Sequence, residues 1–225
     1  MTQVFLAIEI IGIISFAIAG AIEAINKETD LFGVIFLSII TSFGGGIIRD
    51  ITIGNHVPVF FRKENYLLIA LCVASSVAVF ITATVLKNKF VENENFIARI
   101  NNVFDAIGLG SFAVSGTKIA MDLGYDDFLV AVVMGMITCV GGSMIRDFCL
   151  REIPFILKKR IYAFAALSGG ACYWCMIRLG VDQILTMVVV VILVFSMRML
   201  ATVFKWNFPK AIDFSKLKME EKADE

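Results

Sequence analysis

Seven long apolar runs, separated by short polar connections, make up most of this chain. They cover roughly residues 4–25, 31–54, 66–86, 100–121, 128–152, 161–179 and 182–204. Each is close to the ~20 residues that an α-helix needs to cross a bilayer. The pattern predicts an all-α membrane protein with seven transmembrane helices in a single domain over 1–204. The first run begins without a basic flank and is interrupted by Glu9, so it reads as a retained helix and not as a cleaved signal peptide. A tail, 205–225, mixes lysines with acids and reads as a solvated cytoplasmic end.

The second and fifth runs carry the same interruption. One reads Thr41-Ser42-Phe43-Gly44-Gly45-Gly46-Ile47-Ile48-Arg49-Asp50, the other Thr138-Cys139-Val140-Gly141-Gly142-Ser143-Met144-Ile145-Arg146-Asp147. Glycine inside a helix costs about 1 kcal/mol relative to alanine, so Gly44–Gly46 and Gly141–Ser143 are expected to weaken or break their helices. Gly54 with Pro58, and Pro154 in the second case, mark where these segments end, because proline cannot continue a helix without losing a backbone bond. Both glycine stretches then fall near the middle of their spans.

The two stretches belong to a longer repeat. At a spacing of about 96 residues Glu9 matches Asp105, Gly12 matches Gly108, and Ser15-Phe16-Ala17 with Gly20 matches Ser111-Phe112-Ala113 with Gly116. The glycine stretches follow at about 97, then Pro58 and Tyr66 match Pro154 and Tyr162 at about 96. Repeat one covers 4–90 and repeat two 100–180. Three spans per repeat is an odd number, so the second copy should enter the membrane from the opposite side. Inverted repeats of this kind carry a transport path at their interface near the midplane. The seventh helix, 182–204, has no counterpart and is expected to close the bundle or face lipid.

Charge refines the picture. The connections on the C-terminal side collect Lys27, Lys87, Lys89, Arg99, Arg151, Lys158, Lys159 and Arg160, whereas the other side has little beyond Arg62, Lys63 and Arg178. Basic connections face the cytoplasm, which predicts the N-terminus outside and the C-terminus inside. Within the spans, Arg49 and Asp50 are sequence neighbours, as are Arg146 and Asp147. Adjacent residues do not face each other on a helix, so each is expected to find a partner elsewhere, with Glu9 and Asp105 as candidates. Such charges either brace the bundle or serve a gate. Lys118, alone near the end of the fourth span, either snorkels to the interface or lines the path. A mobile charge is worth about 2.3 kcal/mol per 100 mV.

Composition narrows the function. The chain is 59% hydrophobic with mean hydropathy +0.85 and zero formal net charge, which gives no argument for nucleic acid. Its five cysteines are scattered through apolar segments, and its one histidine, His56, sits in a loop. There is no metal-ligand cluster, phosphate loop or nucleophile motif, so neither an enzyme nor a cofactor is expected. For Gly12, Gly20, Gly108, Gly110 and Gly116 the expectation is close helix packing. Three glycines in a row present backbone in three directions, and bare carbonyls suit a monovalent cation. No structural metal is expected, only a transient monovalent cation at Gly44, Gly45, Gly46, Gly141, Gly142 and Ser143.

The doubled glycine–Arg-Asp stretch within two three-helix repeats resembles the trimeric intracellular cation (TRIC) channel family, over residues 4–204. It is more similar still to the prokaryotic branch, whose domain also carries the label glycine transporter. The resemblance implies seven membrane helices, inverted repeats, a homotrimer in the membrane lipid with one pore per subunit, and pore-lining helices kinked at the glycine stretches. It implies a channel for K+, and also for Na+, in the cell (inner) membrane. Lys118 is similar by segment to a lysine tied to voltage-dependent gating in animal members, without the Lys-Glu-Val pattern around it. The alternative is a secondary transporter of glycine or another small zwitterion, whose charged ends would meet half-helix termini.

Overall fold

The computed structural model describes residues 3–54, 57–158, 161–204 and 206. The tail beyond Phe204, other than Trp206, and the loop histidine lie outside them. Among the described residues nine α-helices follow one another: α1 (Gln3–Asn26), α2 (Leu31–Thr52), α3 (Tyr66–Val85), α4 (Lys87–Glu92), α5 (Glu94–Asp122), α6 (Phe128–Cys149), α7 (Phe155–Lys158), α8 (Ile161–Arg178) and α9 (Gln183–Val203). Two 3-10 turns, Val59–Phe61 and Lys63–Asn65, lie between α2 and α3. The seven longest helices coincide with the seven apolar runs. Five of them, α1, α2, α3, α6 and α9, are long and apolar enough to cross a membrane. The other two, α5 and α8, carry more polar content. Asp105, Lys118 and several serines and glycines lie on α5, and Ser168-Gly169-Gly170 and Arg178 on α8.

Short connections force sharp starts, and aspartates supply them. Asp30 accepts a hydrogen bond from Gly33 N at 2.8 Å, Asp127 from Leu129 N at 3.0 Å, and Asp182 from Leu185 N at 3.0 Å. Each satisfies an amide at a helix start that has no intrahelical partner. At the ends of α5 and α8, Gly124 and Gly180 take positive φ values of 88° and 76°. That conformation returns the next amides to the last turn, as in Val181 N to Met176 O at 3.0 Å.

Two cross-connections define each end of the bundle. At one end, Tyr125 Oη donates to Ile53 O at 2.9 Å, and Arg178 pairs with Asp126 at 2.6 Å. At the other, Lys27 pairs with Glu152 at 2.6 Å, and Asn101 donates to Glu23 at 2.6 Å. We call these the first end, where α1 begins, and the second end, where α1 finishes. Helices α1 and α5 pack antiparallel, with Glu9 beside Ser115 and Glu23 beside Asn101. Their apolar contact centres on Phe16 and Phe112, whose rings lie 5.2 Å apart. Large apolar side chains on the outer surface, including Phe32, Leu67, Val85, Leu129 and Leu179, are exposed.

The expected breaks in α2 and α6 are absent. Both helices run unbroken through Gly44–Gly46 and Gly141–Ser143. An interrupted helix leaves backbone groups unsatisfied at several kcal/mol each in an apolar medium, more than the glycine propensity penalty. The glycines serve the contact between the helices. A Cβ on Gly45 would overlap the carbonyl oxygen of Thr138, and one on Gly142 that of Thr41. Built on Gly44 it would stand 3.2 Å from the Cα of Gly142, and on Gly141 3.0 Å from that of Gly45. The pairing 41 with 142, 45 with 138 and 141 makes the crossing antiparallel, backbone against backbone. Gly46 is different: a Cβ there meets only Arg49 Nη2, at 3.7 Å.

If the contact depends on missing side chains, alanine should act by position. Gly45→Ala and Gly142→Ala should each destabilise the protein by about 1–3 kcal/mol, read as a lower thermal midpoint in detergent. Gly46→Ala should be neutral or stabilising, by up to the ~1 kcal/mol propensity gain.

Candidate functional site

Beyond the glycine contact, each of the two helices turns an Arg-Asp pair inward. Arg49 donates through Nε and Nη2 to Asp50 Oδ1 at 2.9 and 2.7 Å. Arg146 does the same to Asp147 Oδ1 at 3.0 and 2.7 Å. All four residues are buried. This corrects the expectation that sequence neighbours cannot pair. The rule concerns side chains that stand straight out, whereas an arginine is long enough to fold back over the next residue. In a medium where free charge is costly, the local pair forms. Asp147 additionally accepts the amide of Phe155 at 2.8 Å, which ties α7 to the end of α6.

Glu9 and Asp105, offered as partners for these arginines, do otherwise. Glu9 Oε1 accepts a hydrogen bond from Ser115 Oγ at 2.9 Å. Asp105 takes the hydroxyl of Tyr162 on Oδ1 at 3.2 Å and Nη2 of Arg198 on Oδ2 at 3.1 Å. Arg198 lies on α9, only 2% exposed, with its guanidinium 4.5 Å from the Tyr162 ring and 5.4 Å from the Phe155 ring. Sequence reasoning missed it. Its signal was a lone arginine in an otherwise uncharged span, between Met197 and Met199.

At the first end, a cavity of about 50 Å3 is bounded by Glu9, Ser42, Gly46, Arg49, Asp50 and Phe60, with Asn65, Ser115 and Thr138. At the second end Ser143, the counterpart of Gly46, donates to Val140 O at 2.9 Å and lies 3.4 Å from Tyr162 Oη. Ser143, Tyr162, Asp105 and Arg198 therefore form one connected polar cluster. Lys118 pairs with Asp122 at 2.5 Å, and its Nζ stands 5.4 Å from the centroid of the Phe5 ring. It lines a second first-end cavity, about 350 Å3, with Asp122, Asp126, Tyr173 and Arg178.

The structure thus brings Gly46, Glu9, Arg49 and Asp50 around one space. It brings Ser143, Asp105, Arg146 and Asp147 to the opposite end. Gly44, Gly45, Gly141 and Gly142 lie between, in the helix contact.

A bundle of apolar helices with buried, paired charges at both ends is a polytopic membrane protein. The family model described as glycine transporter matches the chain twice, over residues 6–83 and 102–178. A membrane protein of Deinococcus radiodurans is 37% identical over 74% of this chain and 74% of its own length. The inner membrane protein YadS of Escherichia coli K12 is 37% identical over 72% of this chain and 74% of its own. Among solved structures, a chain from work on conductance through TRIC cation channels superposes with a TM-score of 0.81 at 32% identity, covering 95% of this chain and 98% of that one. A prokaryotic TRIC channel crystallised in 0.5 M KCl gives 0.80 at 33% identity, over 92% of this chain and 100% of its own. The TRIC orthologue of Rhodobacter sphaeroides gives 0.80 at 28% identity, covering 91% and 100%. The chain belongs to the prokaryotic branch of the TRIC channel family.

The buried second-end pair makes a thermodynamic prediction. Arg198→Met strands the Asp105 carboxylate and should cost about 3–5 kcal/mol. Adding Asp105→Asn should recover most of that loss. Denaturation of the two variants in detergent checks both signs.

Proposed function

We propose that this protein is a channel for monovalent cations, K+ and also Na+, with one path in each subunit of a homotrimer. The family supports the class, since its solved members include TRIC cation channels. The observation in this chain that carries the reading is the first-end cavity, where a buried carboxylate and three hydroxyl side chains border a space between α1, α2, α5 and α6. Hydroxyl and carbonyl oxygens replace part of an ion's hydration shell.

In this reading α2 and α6 line the path, and permeation follows Gly46 and Ser143, which lie beside the glycine contact and not inside it. Gly44, Gly45, Gly141 and Gly142 hold the two helices close enough to form that wall. The cluster of Ser143, Tyr162, Asp105 and Arg198 stands across the second end and narrows it. The antiparallel pairing of α1 with α5 and of α2 with α6 supports two inverted three-helix repeats, with α9 as the seventh span. The basic connections support an N-terminus outside and a C-terminus in the cytoplasm, in the cell's inner membrane. No chemistry on a substrate is needed, so the protein is a conduit and not an enzyme.

The second reading, a carrier for glycine or a similar zwitterion, is favoured by the larger first-end cavity, where Lys118 and Arg178 stand near Asp122 and Asp126. The two readings differ in what moves. Purified protein in a planar bilayer should give single-channel steps in symmetric KCl with no organic solute. Saturable glycine uptake without such steps would establish the carrier. Lys118→Gln should change the voltage dependence of open probability, because it removes the one lysine within that cavity wall. An unaltered dependence would make Lys118 a packing residue.

A further inference from the structure

Glu9 and Asp105 hold matching places in the two repeats, yet their charges are answered differently. Asp105 is met by Arg198, a cation supplied by the helix that lies outside the repeat. Glu9 is as deeply buried, at 8% exposure, but its hydrogen-bond partner is the neutral hydroxyl of Ser115. Among the described residues no ion pair joins Glu9 to a lysine or arginine. The two cations nearby are engaged elsewhere. Arg49 shares the cavity wall with Glu9 but gives two donors to Asp50. Lys118, one turn beyond Ser115, is held by Asp122.

The charges on the cavity wall therefore do not cancel. Arg49 and Asp50 neutralise each other, and Glu9 is left over. A buried carboxylate without a cation carries a desolvation cost of several kcal/mol, and such a charge is answered by a proton or by a partner cation. The space beside Glu9 is about 50 Å3, above the ~10–15 Å3 that one water-sized particle requires. Around it stand neutral oxygens, the hydroxyls of Ser42, Ser115 and Thr138 and the amide of Asn65. One net negative charge among neutral oxygens matches a partly dehydrated monovalent ion. A Ca2+ site takes six to eight oxygen ligands, usually with several carboxylates.

We infer that Glu9 is the counter-charge of a monovalent cation site in the wall of the first-end cavity. A mobile ion does there what Arg198 does at Asp105. One end of the path holds an exchangeable cation and the other a resident one, and α9 is the element that makes them differ. This inference rests on the cation-channel reading and names its ion site.

The test uses the full chain in lipid nanodiscs, with N-methyl-glucamine chloride replaced by KCl or NaCl at constant ionic strength. The thermal midpoint of the wild type should rise saturably with K+ or Na+. Glu9→Gln should lose that rise, and Glu9→Asp should keep it. A wild type that ignores both ions overturns the site, and so does a Glu9→Gln protein that responds as the wild type does. Bilayer recording separates the two levels of the argument. In a KCl gradient Glu9→Gln should lower unitary conductance and move the reversal potential toward zero. A conducting wild type with an unaltered Glu9→Gln variant overturns the site and leaves the channel. A Glu9-dependent midpoint shift in a protein that passes no current supports the site and overturns the channel.

Discussion

Two helices touch backbone to backbone only where neither presents a side chain, and α2 and α6 meet in that way. Gly45 lies against the carbonyl of Thr138, Gly142 against that of Thr41, and Gly44 and Gly141 complete the contact. Close approach of this kind gains van der Waals packing where lipid offers no hydrophobic drive between helices. Everything chemical in the molecule is registered from it. One residue past the contact on α2 comes Gly46, which opens onto the first-end cavity. The matching step on α6 brings Ser143 to the second-end cluster. Three residues further each helix turns its Arg-Asp pair inward, so the two pairs stand on opposite sides of the same crossing.

That crossing is nearly symmetric, and the departures from symmetry are where function enters. The Arg-Asp bonds repeat to within 0.1 Å at each donor. The carboxylates beside them do not repeat. Asp105 belongs to a connected polar cluster in which Arg198 lies over Tyr162, a geometry in which a guanidinium is attracted both by the carboxylate and by the face of the ring. Glu9 borders open space. Tyr66, the counterpart of Tyr162, is exposed, so the first end does not repeat the tyrosine-to-carboxylate contact of the second. The two ends therefore differ electrostatically, one carboxylate meeting an arginine and the other a serine hydroxyl.

Much of this was legible from residue order. The apolar runs match the seven longest helices, five of them apolar enough to cross a membrane, because the apolarity a span needs is set by local composition over some 20 residues. The duplicated stretch, with Glu9 against Asp105 and Pro58 against Pro154, needed only comparison of the chain with itself. The charged residues picked out along the chain, Glu9, Asp105 and the two Arg-Asp pairs, are buried, and Lys118 stands beside Asp122. It was harder to read what the glycines do. Propensity describes a helix alone, and it predicted a break. A neighbouring helix that fits only glycine reverses that outcome, since the cost of glycine is small against unsatisfied backbone groups.

By itself the sequence determined the helical class, the repeat, the family and which charges lie within the spans, because each depends on pattern along the chain. Tertiary structure alone decided how those charges are answered. Arginine folding back onto its own neighbour is a choice that competing partners settle, and Asp105 meets Arg198 across 93 residues of sequence. No periodicity carries that pairing. It follows from where α9 packs against α5, and the same packing leaves Glu9, at the far end of the bundle, without a paired cation among the described residues.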